Sequence, residues 1–142
     1  MSDRILVPID DSSQSTEALE YALDLYDGAT FVLLHVVDPQ AWISSDEFGD
    51  VIYSDRLEEA EKEQGEELLA EASEIAADAG ADAETVTLVG RPAPSIVEYL
   101  EDHDVDAVVM GSHGRRGLDR IFLGSVAEAV TRQSDVPVTI VH

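Results

Sequence analysis

Cysteine is absent from this chain, lysine occurs once, at Lys62, and 8 basic residues stand against 31 acidic ones. Without thiols there is no disulfide and no thiolate metal site. At a formal net charge of −23, nucleic acid is not an expected partner, because its phosphates would be repelled. Anionic membrane surfaces are disfavoured for the same reason. No apolar run approaches the roughly 20 residues that a membrane helix needs. No basic stretch followed by an apolar core opens the chain, so no signal peptide is expected and the cytoplasm is the expected compartment.

What is present suits a folded domain. The chain has 142 residues, 44% of them hydrophobic, which is enough for one domain (1–142) with a full core. High charge can mean disorder, but the apolar segments here are periodic. The remaining reading is an acidic surface kept soluble in concentrated salt, as in a halophile. An unusually acidic mesophilic protein is the alternative.

Apolar runs at 4–9, 30–37, 84–89, 105–110 and 136–141 read as strands. Runs apolar on both faces suggest a parallel sheet covered by helices. Helices are expected after Ser12 or Ser13, over 55–79, from Pro92 and over 126–133. In the long helix Leu57, Ala60, Leu68, Ala72, Ile75 and Ala79 mark the expected buried face. Residues 38–54 have no clear period and read as a long loop, either a lid or a contact segment. The pattern is a single α/β domain with a five-stranded parallel sheet.

The most informative motif is Gly111-Ser-His-Gly114, nine residues, then Gly124-Ser125. It follows an apolar strand and leads into a helix. Glycines let the backbone approach a ligand closely, and free N–H groups at a helix N-terminus attract anions. Gly111, Gly114 and Gly124 are therefore candidate phosphate contacts, with plain turns as the alternative. No G-K-[ST] follows, so this is not a Walker A loop, and it is not the G-x-G-x-x-G dinucleotide fingerprint. Ser125 reads either as a hydroxyl donor to phosphate or as the first residue of a capping box with Glu128. Residues 111–120 hold Arg115, Arg116 and Arg120 against Asp119, a net +2 that leaves −25 for the rest of the chain. Such a cluster suits a polyanion entering a repulsive field, or pairs with nearby carboxylates. His113 either bonds a phosphate or faces solvent.

The stretch from Gly111 to Val130, closed by Val136-Pro137-Val-Thr-Ile-Val141, resembles the C-terminal half of universal stress proteins. Ile5-Leu-Val-Pro-Ile-Asp10 and Leu34-His-Val-Val37 fit the same family, so the resemblance spans the chain. The glycine motif points to its ATP-binding branch. The resemblance implies a doubly wound, Rossmann-like sheet of order 3-2-1-4-5, with the ligand in the crevice between strands 1 and 4. It implies Asp10 as a ribose acceptor or indirect metal ligand, the alternative being a helix-capping carboxylate. It implies backbone contacts from Val37, or Val36, to adenine, between walls of Pro8 and Met110. Gly117, Val126 and Ala127 join the candidate nucleotide contacts. Asp11 departs from the glycine common in the family, and a second carboxylate there can tighten a metal or weaken phosphate binding.

The resulting expectation is an ATP-binding protein, with or without Mg²⁺, acting as a homodimer through residues 136–141. No nucleophile, base and orienter can be assembled from these residues, so at most slow hydrolysis or self-phosphorylation is expected. A phosphoacceptor receiver domain would need an Asp after strand 3 and a Lys after strand 5, where Val89-Gly90 and His142 stand. A flavodoxin-like FMN carrier would need a hydroxyl-rich loop after strand 1. An interaction module of the same fold that no longer binds nucleotide is the other reading.

Overall fold

The computed structural model describes residues 3–112 and 123–142. Strand β1 (Arg4–Pro8) is followed by helix α1 (Ser13–Leu25) and strand β2 (Thr30–Val37). A 3-10 turn (Pro39–Ala41) then leads into two short strands, β3 (Ile43–Ser45) and β4 (Val51–Tyr53). Helix α2 (Asp55–Asp78), strand β5 (Asp82–Val89), helix α3 (Pro92–Asp102) and strand β6 (Ala107–Gly111) come next. Helix α4 (Ser125–Gln133) and strand β7 (Val138–Val141) end the series.

The main sheet has the order β5-β2-β1-β6-β7, and each pairing in it is parallel. Counted among its own five strands, this is the expected 3-2-1-4-5. Central β1 is apolar on both faces because both faces are covered: Ile5, Leu6 and Val7 are fully buried. Ile5, Val7, Phe31 and Leu33 pack with Ala18 and Leu19 of α1 and Leu69 and Ala72 of α2. On the opposite face Leu6, Val32, Leu34 and Val108 pack with Ile96 and Val97 of α3 and Val130 of α4. The doubly wound arrangement is thus visible in the split core.

Three local expectations are corrected. The buried positions of α2 are Gly65, Leu69, Ala72 and Ala76, whereas Leu57, Ala60 and Ala79 are exposed. A helix of 24 residues is about 36 Å long at ~1.5 Å per residue. A strand of 8 residues spans only about 26 Å, so the first turns of α2 overhang the sheet. The 38–54 segment is not a plain loop, since β3 and β4 pair antiparallel within it. Strands of three residues are too short for alternation to register as a period. Finally, β7 starts at Val138, because the preceding Pro137 takes part only through its carbonyl, which accepts from Val108 N–H at 2.9 Å.

Candidate functional site

A cleft of about 300 Å³ opens beside the C-terminal ends of β1, β2 and β6. The connections run one way from β1 through β2 to β5 and the other way from β6 to β7. Helices therefore leave in opposite directions, and the turns that follow β1 and β6 part to form a crevice.

Of the residues singled out in the sequence, Pro8, Asp10, Met110 and Gly111 line it from the strand ends. Gly124, Ser125, Val126 and Ala127 line it from the start of α4. His113, Gly114, Arg115, Arg116, Gly117 and Arg120 lie outside the described residues. Val37 does not line the cleft. It is 2% exposed, and its carbonyl accepts from Gly90 N–H at 2.9 Å. Strand alternation turns its neighbour Val36 to the cleft instead.

The turn after β1 is knitted by side chains. Asp10 Oδ1 accepts from Ser12 N–H at 2.8 Å and from the Ser12 hydroxyl. Ser12 Oγ in turn accepts from Ser15 N–H at 3.1 Å, capping α1. Asp10 N–H donates to Ser15 Oγ at 3.1 Å, and Ser15, 4% exposed, is part of the buried interior. Asp10 therefore does act in the turn that caps the helix. Both hydrogen bonds from Ser12 fall on Oδ1.

The opposite wall begins at Ser112, which is fully buried. Its hydroxyl donates to Gln14 Oε1 at 3.0 Å. Its carbonyl accepts from Gly124 N–H at 2.6 Å, which ties together the two ends of the segment between them. Gly111 owes its identity at least partly to packing: a Cβ there would lie 2.9 Å from Gln14 Cβ and 3.2 Å from its carbonyl carbon. Gly124 is the N-cap of α4, with φ −62° and ψ 159°.

Ser125 is the first residue inside α4, and among the described residues no side chain caps that end. Glu128 N–H bonds the carbonyl of Gly124 at 2.9 Å instead. The capping-box alternative for Ser125 is thus not formed, because Ser125 sits one position too far along. Its hydroxyl stands beside first-turn N–H groups that have no intrahelical acceptor. A partial positive charge and a hydroxyl meet here, an arrangement suited to anions.

The rest of the cleft is apolar. Leu34, Val36, Pro92, Ile96 and Met110 form this wall. An apolar slot at one end and a helix N-terminus at the other suit a molecule with a flat ring system and a phosphate. His35, missed as a cleft residue, also lines it. Its Nδ1 lies 2.7 Å from the Ile9 carbonyl and donates to it. On its other side α2 comes so close that a Cβ on Gly65 would lie 2.6 Å from His35 Cδ2. The available sequence signal was a lone polar residue inside an apolar strand. Among the described residues, no cluster of three or more His, Asp or Glu could hold a metal ion. No described helix is long and apolar enough to cross a membrane.

Comparison with known proteins gives a consistent result. The family model described as "Universal stress protein family" matches residues 1–142. The universal stress protein MJ0531 of Methanocaldococcus jannaschii is 35% identical, over 97% of this chain and 81% of its own. Universal stress protein YxiE of Bacillus subtilis is 34% identical over the full length of both. Among solved structures, a universal stress protein in complex with cAMP is 28% identical, with a TM-score of 0.72, covering 99% of this chain and 97% of that one.

Proposed function

Since the chain belongs to the universal stress protein family, we propose that its cleft binds ATP and that the protein works as a nucleotide-dependent regulatory or protective homodimer. The observation that carries this reading is the meeting of an apolar slot with the N-terminus of α4 in one crevice. Adenine would lie against Val36 and Met110, the ribose would reach the second oxygen of Asp10, and phosphate would face Ser125. The cAMP complex of a structural relative supports an adenine nucleotide as the ligand class. Arg115, Arg116 and Arg120 would answer the phosphate charge. Mg²⁺, if present, would ride mainly on the phosphates, since the ion keeps much of its own hydration and takes few protein carboxylates. The acidic surface fits a medium of concentrated salt.

The test is direct. Purified protein should release an adenine nucleotide that mass spectrometry identifies as ATP, and the stripped protein should rebind it in calorimetry. Folded protein that takes up no adenine nucleotide would leave the other reading, an interaction module on the same fold.

A further inference from the structure

The β3–β4 hairpin is an exposed apolar finger. Ile43 pairs with Tyr53 and Ser45 with Val51. Alternation therefore sets Ile43, Val51 and Tyr53 on one face of the ribbon. Val51 is 73% exposed, and Phe48, at the tip, is 84% exposed. Scattered exposed apolar residues are ordinary, but a contiguous group of this kind marks a contact surface.

The tip is built rather than loose. Asp46 N–H donates to the Asp50 carbonyl at 2.9 Å, and Gly49 N–H donates to the Asp46 carbonyl at 3.1 Å. Asp46 Oδ1 accepts from Phe48 N–H at 2.9 Å and from Asp50 N–H at 2.8 Å. Gly49, at φ +83°, takes the left-handed position that the turn requires. The finger is closed at its base by Ser54 N–H on the Trp42 carbonyl at 2.9 Å. Phe48 is thus held out in water by a turn whose ordering cost is already met in the free protein, as an aromatic anchor should be.

Charge chooses the occupant. Asp46, Glu47 and Asp50 lie in the turn of the finger, and Asp55, Glu58 and Glu59 follow it in the sequence, against Arg56. In a two-fold contact between copies the same carboxylates would meet their equivalents. The nearby Lys62 is already paired with Glu58 at 2.9 Å. We propose that the hairpin docks an amphipathic segment of a partner protein that sets Lys or Arg beside apolar side chains, with Phe48 as the anchor. The carboxylates steer such a segment, and the apolar finger holds it. This inference does not rest on nucleotide binding.

Trp42 is the single tryptophan of the chain and stands at the foot of the finger, so its fluorescence reports on docking. The probes are two synthetic helical peptides with the same leucine positions, one with lysine and one with glutamate at the polar positions. The full-length protein is titrated with each at about 0.15 M salt, where charges are screened beyond roughly 8 Å. The lysine peptide should bind and the glutamate peptide should not. Phe48→Ser leaves the net charge unchanged and should weaken binding at least about tenfold, roughly 1.4 kcal/mol, with the melting temperature unaltered. Val51→Thr is the second variant, with a smaller loss. Equal binding by wild type and both folded variants would overturn the proposal, because attraction would then come from the acidic surface at large. Light scattering in which Phe48→Ser abolishes self-association would assign the finger to a second copy instead. Phe48-dependent binding to phosphatidylcholine vesicles, with none to the lysine peptide, would assign it to lipid.

Discussion

Ser125 and Gly65 show how one residue's position decides its meaning. Ser125 is followed by the spacing of a capping box, yet it lies inside α4 and makes no cap hydrogen bond. Losing a real cap would cost about 1 kcal/mol. We therefore expect Ser125→Ala to shift stability by less than about 0.5 kcal/mol while weakening ATP binding severalfold. Thermal melts and calorimetry on the same sample check this, and a large drop in melting temperature would restore the capping role. Gly65 stands in a glutamate-rich stretch of α2, and the fold makes it the contact point with His35. Alanine favours a helix over glycine by about 1 kcal/mol. Here its methyl would press on a ring held by the Ile9 carbonyl, and overpacking costs about 1–3 kcal/mol. Gly65→Ala should therefore destabilise the wild type and stabilise a His35→Ala background. A double-mutant cycle by denaturant titration that shows simple additivity would refute the contact.

At the scale of elements, the two sheet edges differ. β5 exposes Asp82 and Glu84, and edge charges discourage pairing with another chain. β7 is the uncharged run Val138–Val141, half-buried throughout. The carbonyls of Pro137 and Val141 both accept from β6 strand-side N–H groups, those of Val108 and Ser112. Residues alternate, so Val138 and Ile140 turn their backbone groups to the open edge. The expected outcome is a dimer formed there, which Ile140→Pro should break by removing an outward N–H. Light scattering of folded wild-type protein that gives a monomer mass at high concentration would reject it. The legibility of elements in the sequence follows the same division. Strand β2 was readable to the residue, Thr30 to Val37, because burial on both faces demands an apolar run, here interrupted only at His35. Strands β3 and β4 were not, because neither buries a face and so neither leaves a pattern. The face of α2 was read rightly at Leu68, Ala72 and Ile75 and wrongly at Leu57 and Ala60, which keep the helical period beyond the end of the sheet.

Among the described residues few ion pairs relieve the net charge of −23. Among the described residues the ion pairs are Arg4 with Glu84, Lys62 with Glu58 and Arg132 with Glu128. All have exposed or half-exposed members, and such pairs contribute little. Like charges at 4 Å repel by about 1 kcal/mol in water, and many such pairs can rival a net stability of about 5–15 kcal/mol. At about 1 M salt the screening length falls to about 3 Å. The melting temperature without nucleotide should therefore rise steeply between roughly 0.1 and 3 M KCl, and a dimer, which doubles the charge, should dissociate first at low salt. A flat or falling melting curve series would remove the self-repulsion account.

Composition and strand patterning were sufficient to determine the parallel α/β class and the five strands of the main sheet, and the family resemblance supplied their order and the crevice between strands 1 and 4. The class and the strands depend on local side-chain chemistry, and each segment carries its own record of burial. The fold alone decided that Val36 rather than Val37 faces the cleft and that His35 stands between Ile9 and Gly65. It also decided that Gly111 makes room for Gln14 and that Phe48 is raised on a closed turn. Each of these depends on which residues far apart in the chain approach one another. Such approaches are set by sheet register and helix placement, which no single segment encodes.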